Sequence, residues 1–414
     1  MNSIRAVIPR SAGLRSGIPG NRAFALIWLG LAVSVIGDAF YRVALTLTVA
    51  HAGPSGLIGL GVALALPTAV IGLFAGVLID RSDRVRLLIG TDLIRCAIVA
   101  VLAILLFGGS TSLAGTLPLA TLLAFVSVVF TPALQTLLPE LARNNRDRII
   151  SMDAWILGAL SIIGVVGPAL AGFLLQYVDS AVLMFIDAAT FAFSAVMIFS
   201  ARIPAPIPSS ASGTGSTSGR LQAIGEGVRF LLKHRVLGPC FQTFPFMDFA
   251  FNSIPFVLPL LLGTDGSARY GAQLAALAVG RVVGMAVLNK TPLKRHRGAV
   301  LRVNFLAQGT GILLFAGCAT SWIGLIPLVL TGIPAGAAQV AMSSYIQLEV
   351  APEMRGRVFT ALISMVTWLA PFGPIVFVSL AGVSSPTLSF AAIAVVLLVG
   401  GSRLLLCRPL AAVA

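Results

Sequence analysis

Residues 56–108 read GLIGLGVALALPTAVIGLFAGVLIDRSDRVRLLIGTDLIRCAIVAVLAILLFG. Two apolar runs, 56–79 and 86–108, flank a short charged knot, Asp80-Arg81-Ser82-Asp83-Arg84-Val85-Arg86. A helix needs about 20 mostly apolar residues to cross a hydrocarbon core of about 30 Å, and both runs have that length. The knot is too polar to enter a bilayer and too short to be a domain. The two runs therefore cross in opposite directions, with the knot held at one face. This fragment reads as a membrane hairpin.

Working outward, the same pattern fills the chain. Runs of crossing length fall at 24–49, 56–79, 86–108, 115–138, 154–176, 181–201, 237–262, 270–289, 299–317, 321–346, 357–381 and 386–406. Of 414 residues, 57% are hydrophobic and 10% charged, with a mean hydropathy of +0.99. A soluble chain carries about 25% charged residues, so this one lacks the charge to coat a soluble body. The fold class is all-α: twelve transmembrane helices, with Gly and Pro tolerated where neighbouring helices re-satisfy the backbone.

Charge sets the orientation. Lys and Arg number 28 against 14 Asp and Glu, a net of +14. Such a balance points to nucleic acid only when the basic groups share a soluble face. Here 24 of the 28 lie in the N-terminal tail, the even-numbered loops and the far C-terminus or at the span ends that adjoin them. The positive-inside rule then places both termini in the cytoplasm. Residues 1–22, with Arg5, Arg10, Arg15 and Arg22 broken by Pro9 and Pro19, read as a cytoplasmic tail rather than a cleavable leader. The scattered Cys96, Cys240, Cys318 and Cys407 read as free thiols, with no disulfide framework or metal site.

The longest polar break, IPAPIPSSASGTGSTSG at 203–219, has the composition of a flexible linker. After it, Leu221, Ile224, Val228 and Leu231 recur at helical spacing between basic residues, which suits a helix at the cytoplasmic membrane surface over 220–235. The division is then a tail (1–22), a six-helix bundle (23–201), linker and surface helix (202–235), a second six-helix bundle (236–407) and a tail (408–414). The halves echo each other: Pro139-Glu140 and Pro352-Glu353 are 213 residues apart, Asp38 and Asp248 are 210 apart. A six-plus-six duplication with polar groups near mid-membrane is the plan of many secondary transporters.

Gly76, Asp80, Arg81 and Arg86 fit G-x-x-x-D-R/K-x-G-x-R/K-R/K, and the knot resembles the cytoplasmic loop signature of the major facilitator superfamily. Asp83 stands in place of the usual glycine and Val85 in place of a basic residue. The continuation through Asp92 and Arg95, Gly37-Asp38 with Tyr41-Arg42, Phe130-Thr131-Pro132-Ala133, Glu226-Gly227-Val228-Arg229 and Pro352-Glu353-Met354-Arg355-Gly356-Arg357 are similar to the efflux branch that holds macrolide-efflux and enterobactin-export proteins. The resemblance implies two pseudo-symmetric bundles, an exporter, and a conformational latch on Gly76, Asp80, Arg81, Arg86, Asp92 and Arg95. Gly164, Gly167, Pro168 and Gly172 resemble the family's antiporter motif, which favours export. Span four (115–138) contains no charge, so the basic residue that many proton antiporters carry there is missing.

Charges inside spans are costly and mark function. Asp38, Asp248 and Asp187 are the candidates for proton coupling, in that order, since a carboxylate in a low-dielectric cavity exchanges a proton as water access changes. Arg42 and Arg281 are their charge partners or hold an anionic substrate group. Asp38 with Arg42, and Asp92 with Arg95, also suit permanent ion pairs.

No HExxH, GxSxG, P-loop or metal-spaced Cys/His set occurs, and the three His (His51, His234, His296) stand apart from any nucleophile. The chain therefore reads as a non-enzyme without cofactor or metal. The expected activity is export of an amphipathic small molecule across a bacterial cytoplasmic membrane by alternating access, against protons and as a monomer. A siderophore or lysolipid exporter is the alternative, and a non-transporting receptor of this fold the rival from another class.

Overall fold

The computed structural model describes residues 21–71, 82–109, 112–142, 145–203, 217–263, 266–290 and 296–411. The first half comprises α1 (Arg22–Ala50), α2 (Pro54–Ile71), α3 (Arg84–Phe107), α4 (Leu113–Leu141), α5 (Arg146–Leu174) and α6 (Ser180–Ser200). A further helix, α7 (Thr217–Lys233), leads into the second half. There the helices are α8 (Leu237–Phe251), α9 (Ile254–Leu262), α10 (Ser267–Lys290), α11 (Arg297–Cys318), α12 (Leu325–Glu349), α13 (Pro352–Leu369), α14 (Phe372–Val383) and α15 (Pro386–Leu405). Among the described residues, 11 helical segments are long and apolar enough to cross a membrane, and α2 is the shorter apolar helix that supplies the twelfth crossing. The end of the expected 56–79 run lies outside the described residues.

Several helices begin earlier than hydropathy alone predicts, because polar caps start them above the apolar core. Asn145 accepts from the Arg148 N–H, so α5 opens with Arg146-Asp147-Arg148 before its first apolar run. Asn21 accepts from the Ala23 N–H and donates to the Leu141 carbonyl at 2.8 Å, tying the start of α1 to the end of α4. Such caps satisfy amides that a helix start leaves open. Two crossings are broken rather than continuous. α8 gives way to α9 at Asn252–Ser253 and α13 to α14 at Ala370–Pro371, each break close to a proline that cannot donate to the ladder.

Small residues set the tightest packing, as expected where lipid supplies no hydrophobic drive between helices. A β-carbon on Gly332 of α12 would sit 2.8 Å from the Gly280 Cα of α10, and Gly284 lies against the Ile333 and Ala337 backbone. In the first half, Gly30 and Gly37 of α1 lie directly on α6. The close glycine contacts between halves all fall at one end, away from the charged loop. There Gly172 of α5 meets Gly271 of α10, Gly61 of α2 meets Pro374 of α14, and Gly382 of α14 meets Pro54. The opposite end, which holds Arg84, Arg86, Arg146, Arg148, Arg302 and Arg357, is the basic end.

α7 docks on protein. Its Gly227 lies on the Arg357 carbonyl, Glu226 pairs with Arg357 of α13, and Leu231 is fully buried. Leu232 remains 51% exposed, and Arg229, Lys233 and Arg235 are exposed. At the joint to α8, His234 Nδ1 accepts from the N–H groups of Val236 (3.2 Å) and Leu237 (3.1 Å). Its ring lies 5.4 Å from Phe230 and edge-on to Tyr345 at 6.3 Å. Burial pushes the His234 imidazole below its ordinary value, opposed by the nearby Glu349 carboxylate.

Candidate functional site

Gly76, Asp80 and Arg81, the head of the expected latch, lie outside the described residues. The described remainder explains the departure from the family signature. Asp83 is the N-cap of α3, accepting from the N–H groups of Val85 (3.0 Å) and Arg86 (3.2 Å). Asp83 also pairs with the exposed Arg86 side chain at 3.5 Å. Arg84 forms an ion pair with Glu140, joining the start of α3 to the end of α4. Spacing alone does not reveal that pairing, although Pro139-Glu140 stands out in the sequence.

Asp92 and Arg95 lie well inside α3 and are buried, at 0% and 4% exposure. They pair at 3.4 Å, and Arg95 donates to the Ser127 carbonyl of α4 at 3.0 Å. The Arg95 guanidinium sits 4.5 Å over Phe130 of α4 and 5.4 Å from the Phe191 ring of α6. One cation thus fastens three helices. Asp92 Oδ2 and Arg95 Nε have no hydrogen-bond partner among the described residues.

Asp187 of α6 is fully buried against α1. A β-carbon on Gly37 would overlap Asp187 Oδ1 and Thr190 Oγ1, so only a glycine lets the carboxylate sit there. Thr190 Oγ1 lies 3.3 Å from Asp187 Oδ1 and donates to the Asp187 carbonyl at 2.7 Å. Asp187 Oδ2 and Tyr41 Oη are both buried without a partner among the described residues. Asp38, next to Gly37 on α1, is half-buried, while Arg42 is exposed. The ion pairs found among the described residues include none between Asp38 and Arg42.

The second half holds a cavity of about 410 Å³ between α8, α10, α11, α12 and α13. Asp248 and Arg281 both line it, again without an ion pair among the described residues. The Arg281 guanidinium lies 5.7 Å from the Phe251 ring. Asn304 and Gln308 add an amide pair, Gln308 Nε2 donating to Asn304 Oδ1 at 2.7 Å. Arg281 reaches the cavity from a backbone pinned by close packing: Gly336 of α12 lies on its carbonyl group. The paired spacings Gly280-x-x-x-Gly284 and Gly332-x-x-x-Gly336 are the sequence signal for this contact.

The antiporter-like stretch takes up two contacts. Gly167 packs on Ala39 of α1, while the Pro168 carbonyl and Gly172 face Gly271 across the two halves. Gly164 faces open space. The structure thus brings Asp38, Asp187, Asp92 and Arg95 within electrostatic reach of one another in the first half, and Asp248 with Arg281 to one cavity in the second.

A family model described as Major Facilitator Superfamily matches residues 27–374. The multidrug efflux pump Tap of Mycobacterium tuberculosis is 25% identical over 321 residues, covering 75% of this chain and 75% of that protein. Macrolide efflux protein A of Streptococcus pyogenes is 24% identical over 378 residues, covering 84% of this chain and 87% of that protein. Among solved structures, the nucleoside transporter NupG superposes with a TM-score of 0.70 at 13% identity, over 93% of this chain and 98% of its own. A bacterial homologue of the human lysosomal transporter Spinster, inward-facing and unoccupied, gives 0.70 at 13% identity, over 94% and 98%. The chain belongs to the major facilitator superfamily.

Proposed function

We propose that this transporter exports an amphipathic small molecule from a bacterial cytoplasm by alternating access, in exchange for protons. The observation that carries the reading is the division of intramembrane charge between the two halves. Asp187 is held, fully buried and half-partnered, between α1 and α6, while Asp248 and Arg281 line a separate cavity in the other half. An acid in a dry setting exchanges a proton when water reaches it, whereas a mostly apolar cavity with a few polar anchors suits a ligand. The multidrug and macrolide efflux relatives support the direction of transport. With the basic end in the cytoplasm, the packed glycine end faces outward, and the molecule is closed on the outside.

Protons would pass through Asp187 and Asp38, whose backbones meet at Gly37, as the α1–α6 contact opens to either side. The latch role stays assigned to Gly76, Asp80, Arg81, Arg86, Asp92 and Arg95, and the Arg84–Glu140 pair follows the same loop in sequence. The test is uptake of a fluorescent amphipathic dye into inverted vesicles. Respiration acidifies the lumen, and the expected result is accumulation that an uncoupler abolishes. Asp187→Asn, at equal folded protein, should retain dye exchange between equal pools and lose uphill accumulation. Uncoupler-insensitive accumulation would overturn proton exchange, and no accumulation of any of a broad dye panel would overturn export.

A further inference from the structure

We propose that the cavity of the second half recognises zwitterions: molecules that carry a cationic nitrogen and an anionic oxygen on one apolar body. The inference deepens the export reading and relies on it only for the direction of movement. Asp248 on α8 and Arg281 on α10 line the same space of about 410 Å³, within the range of small-molecule pockets. They are opposite charges from different helices, and neither is in an ion pair among the described residues. The Arg281 guanidinium lies by the Phe251 ring instead of on a carboxylate. Its backbone is packed against Gly336, which fixes where the side chain leaves α10.

Asp248 is half-buried and Arg281 is exposed to the cavity, so an occupant that displaces the cavity water takes both charges out of water, which is expensive unless each is paired. An occupant with a single charge makes matters worse: a cation satisfies Asp248 but is repelled by Arg281, and an anion meets the reverse. An uncharged occupant leaves both charges stranded. Only an occupant with both signs neutralises both walls, and its apolar body then fits the faces supplied by Phe244, Phe305 and Phe359. Repulsion of the wrong charge adds to attraction of the right one, which is how a site gains discrimination. The Asn304–Gln308 amide pair holds a polar edge beside the charges without adding a charge of its own.

The experiment uses purified full-length protein and a matched fluorescent series. Nε-dansyl-lysine is a zwitterion, its methyl ester a cation, its Nα-acetyl derivative an anion, and dansyl amide uncharged. Binding is read as dansyl enhancement, with no gradient and no transport. The zwitterion should bind about 10- to 100-fold more tightly than the ester or the Nα-acetyl compound, which is the worth of one charge-assisted hydrogen bond. Asp248→Asn should erase the advantage over the Nα-acetyl compound and keep that over the ester. Arg281→Gln should do the opposite. Dansyl amide, bound by the apolar walls, reports whether each variant keeps its cavity. Equal wild-type affinities across the series overturn the inference whatever the variants do. So does a variant that binds dansyl amide normally but shows no crosswise change. Ranked binding without uphill export would sink the export reading alone, and export without ranked binding would sink only this one.

Discussion

Gly172 and Gly271 meet backbone to backbone across the two halves: a β-carbon on Gly172 would sit 2.9 Å from the Gly271 Cα, and one on Gly271 would sit 3.0 Å from the Gly172 Cα. No side chain fits between the helices while that end is closed. Gly172→Val should therefore penalise the closed arrangement by about 1–3 kcal/mol, the usual cost of overpacking, and shift the population toward an opening there about 10- to 100-fold. Spin labels at exposed Gln176 and Thr320 read the separation. An unchanged distance distribution would show that the glycines pack without gating.

The two acid sites should respond differently to neutralisation. Asp92→Asn strands Arg95, 4% exposed, and breaking a buried pair costs about 3–5 kcal/mol. Thermal unfolding in detergent should fall well below wild type, and Asp92→Asn with Arg95→Met should recover part of it. Asp38→Asn strands nothing, because Arg42 is exposed and unpaired with it, so its stability should stay within about 1 kcal/mol of wild type. A large loss for Asp38→Asn would reveal a pairing that forms in another state.

Arg84 and Glu140 tie the charged loop to the end of α4. Both side chains are about a third exposed (28% and 32%), so the pair should contribute no more than about 1 kcal/mol to folding. Its expected effect is conformational. Glu140→Gln should keep the melting temperature and alter dye-export rate by a few-fold, with Arg84→Gln giving the same change and the double variant no further one. Additive losses would mean that the two side chains act separately.

His234 gives the joint between α7 and α8 a pH dependence. Its imidazole is held below the ordinary value of 6.5 by burial, so the folded joint binds its proton less readily than the unfolded chain. Both forms are neutral above pH 6.5, and the penalty grows as pH falls below that value. Protonation also removes the Nδ1 acceptor from the Val236 and Leu237 N–H groups. Protection over 225–240, that is exchange divided by its base-catalysed intrinsic rate at each pH, should fall between pH 6.5 and 5 in the wild type and stay flat in His234→Asn. An equal fall in both would trace the effect to another group.

Membrane crossing was legible because apolar length is a direct physical requirement of the bilayer, and all the expected runs contain helix. Helix breaks were not legible. Pro67, Pro118, Pro132, Pro168 and Pro334 all lie inside continuous helices, whereas chain breaks accompany Pro255 and Pro371. Proline removes one donor in every case, and the neighbours decide whether the helix bends or parts. Spacing placed Asp38 and Arg42 on one helix face but could not say that the arginine would turn to an exposed position. The α7 segment was legible as amphipathic, yet the described part of its apolar face, with Val228 and the fully buried Leu231, packs into the core beside α8 and α13, since periodicity does not distinguish a lipid face from a protein face. Asp83 stands where the signature has glycine, and its role as a cap depends on where the next helix starts.

The two broken crossings have the shape of cranks. The α8 and α13 arms line the cavity with Asp248, Phe251, Phe359 and Thr367. The arms beyond the breaks reach the packed end, where Phe256 of α9 lies near Gly61, and Pro374 and Gly382 of α14 seat on Gly61 and Pro54. Both cranks touch at their elbows, Gly373 resting on the Phe249 carbonyl and Ser253 Oγ. One arm of each crossing therefore lines the cavity while the other sits at the packed end. The elbow contact thus lies between the cavity and the packed end, and it faces a half whose long helices, α1 and α3 to α6, run without a joint.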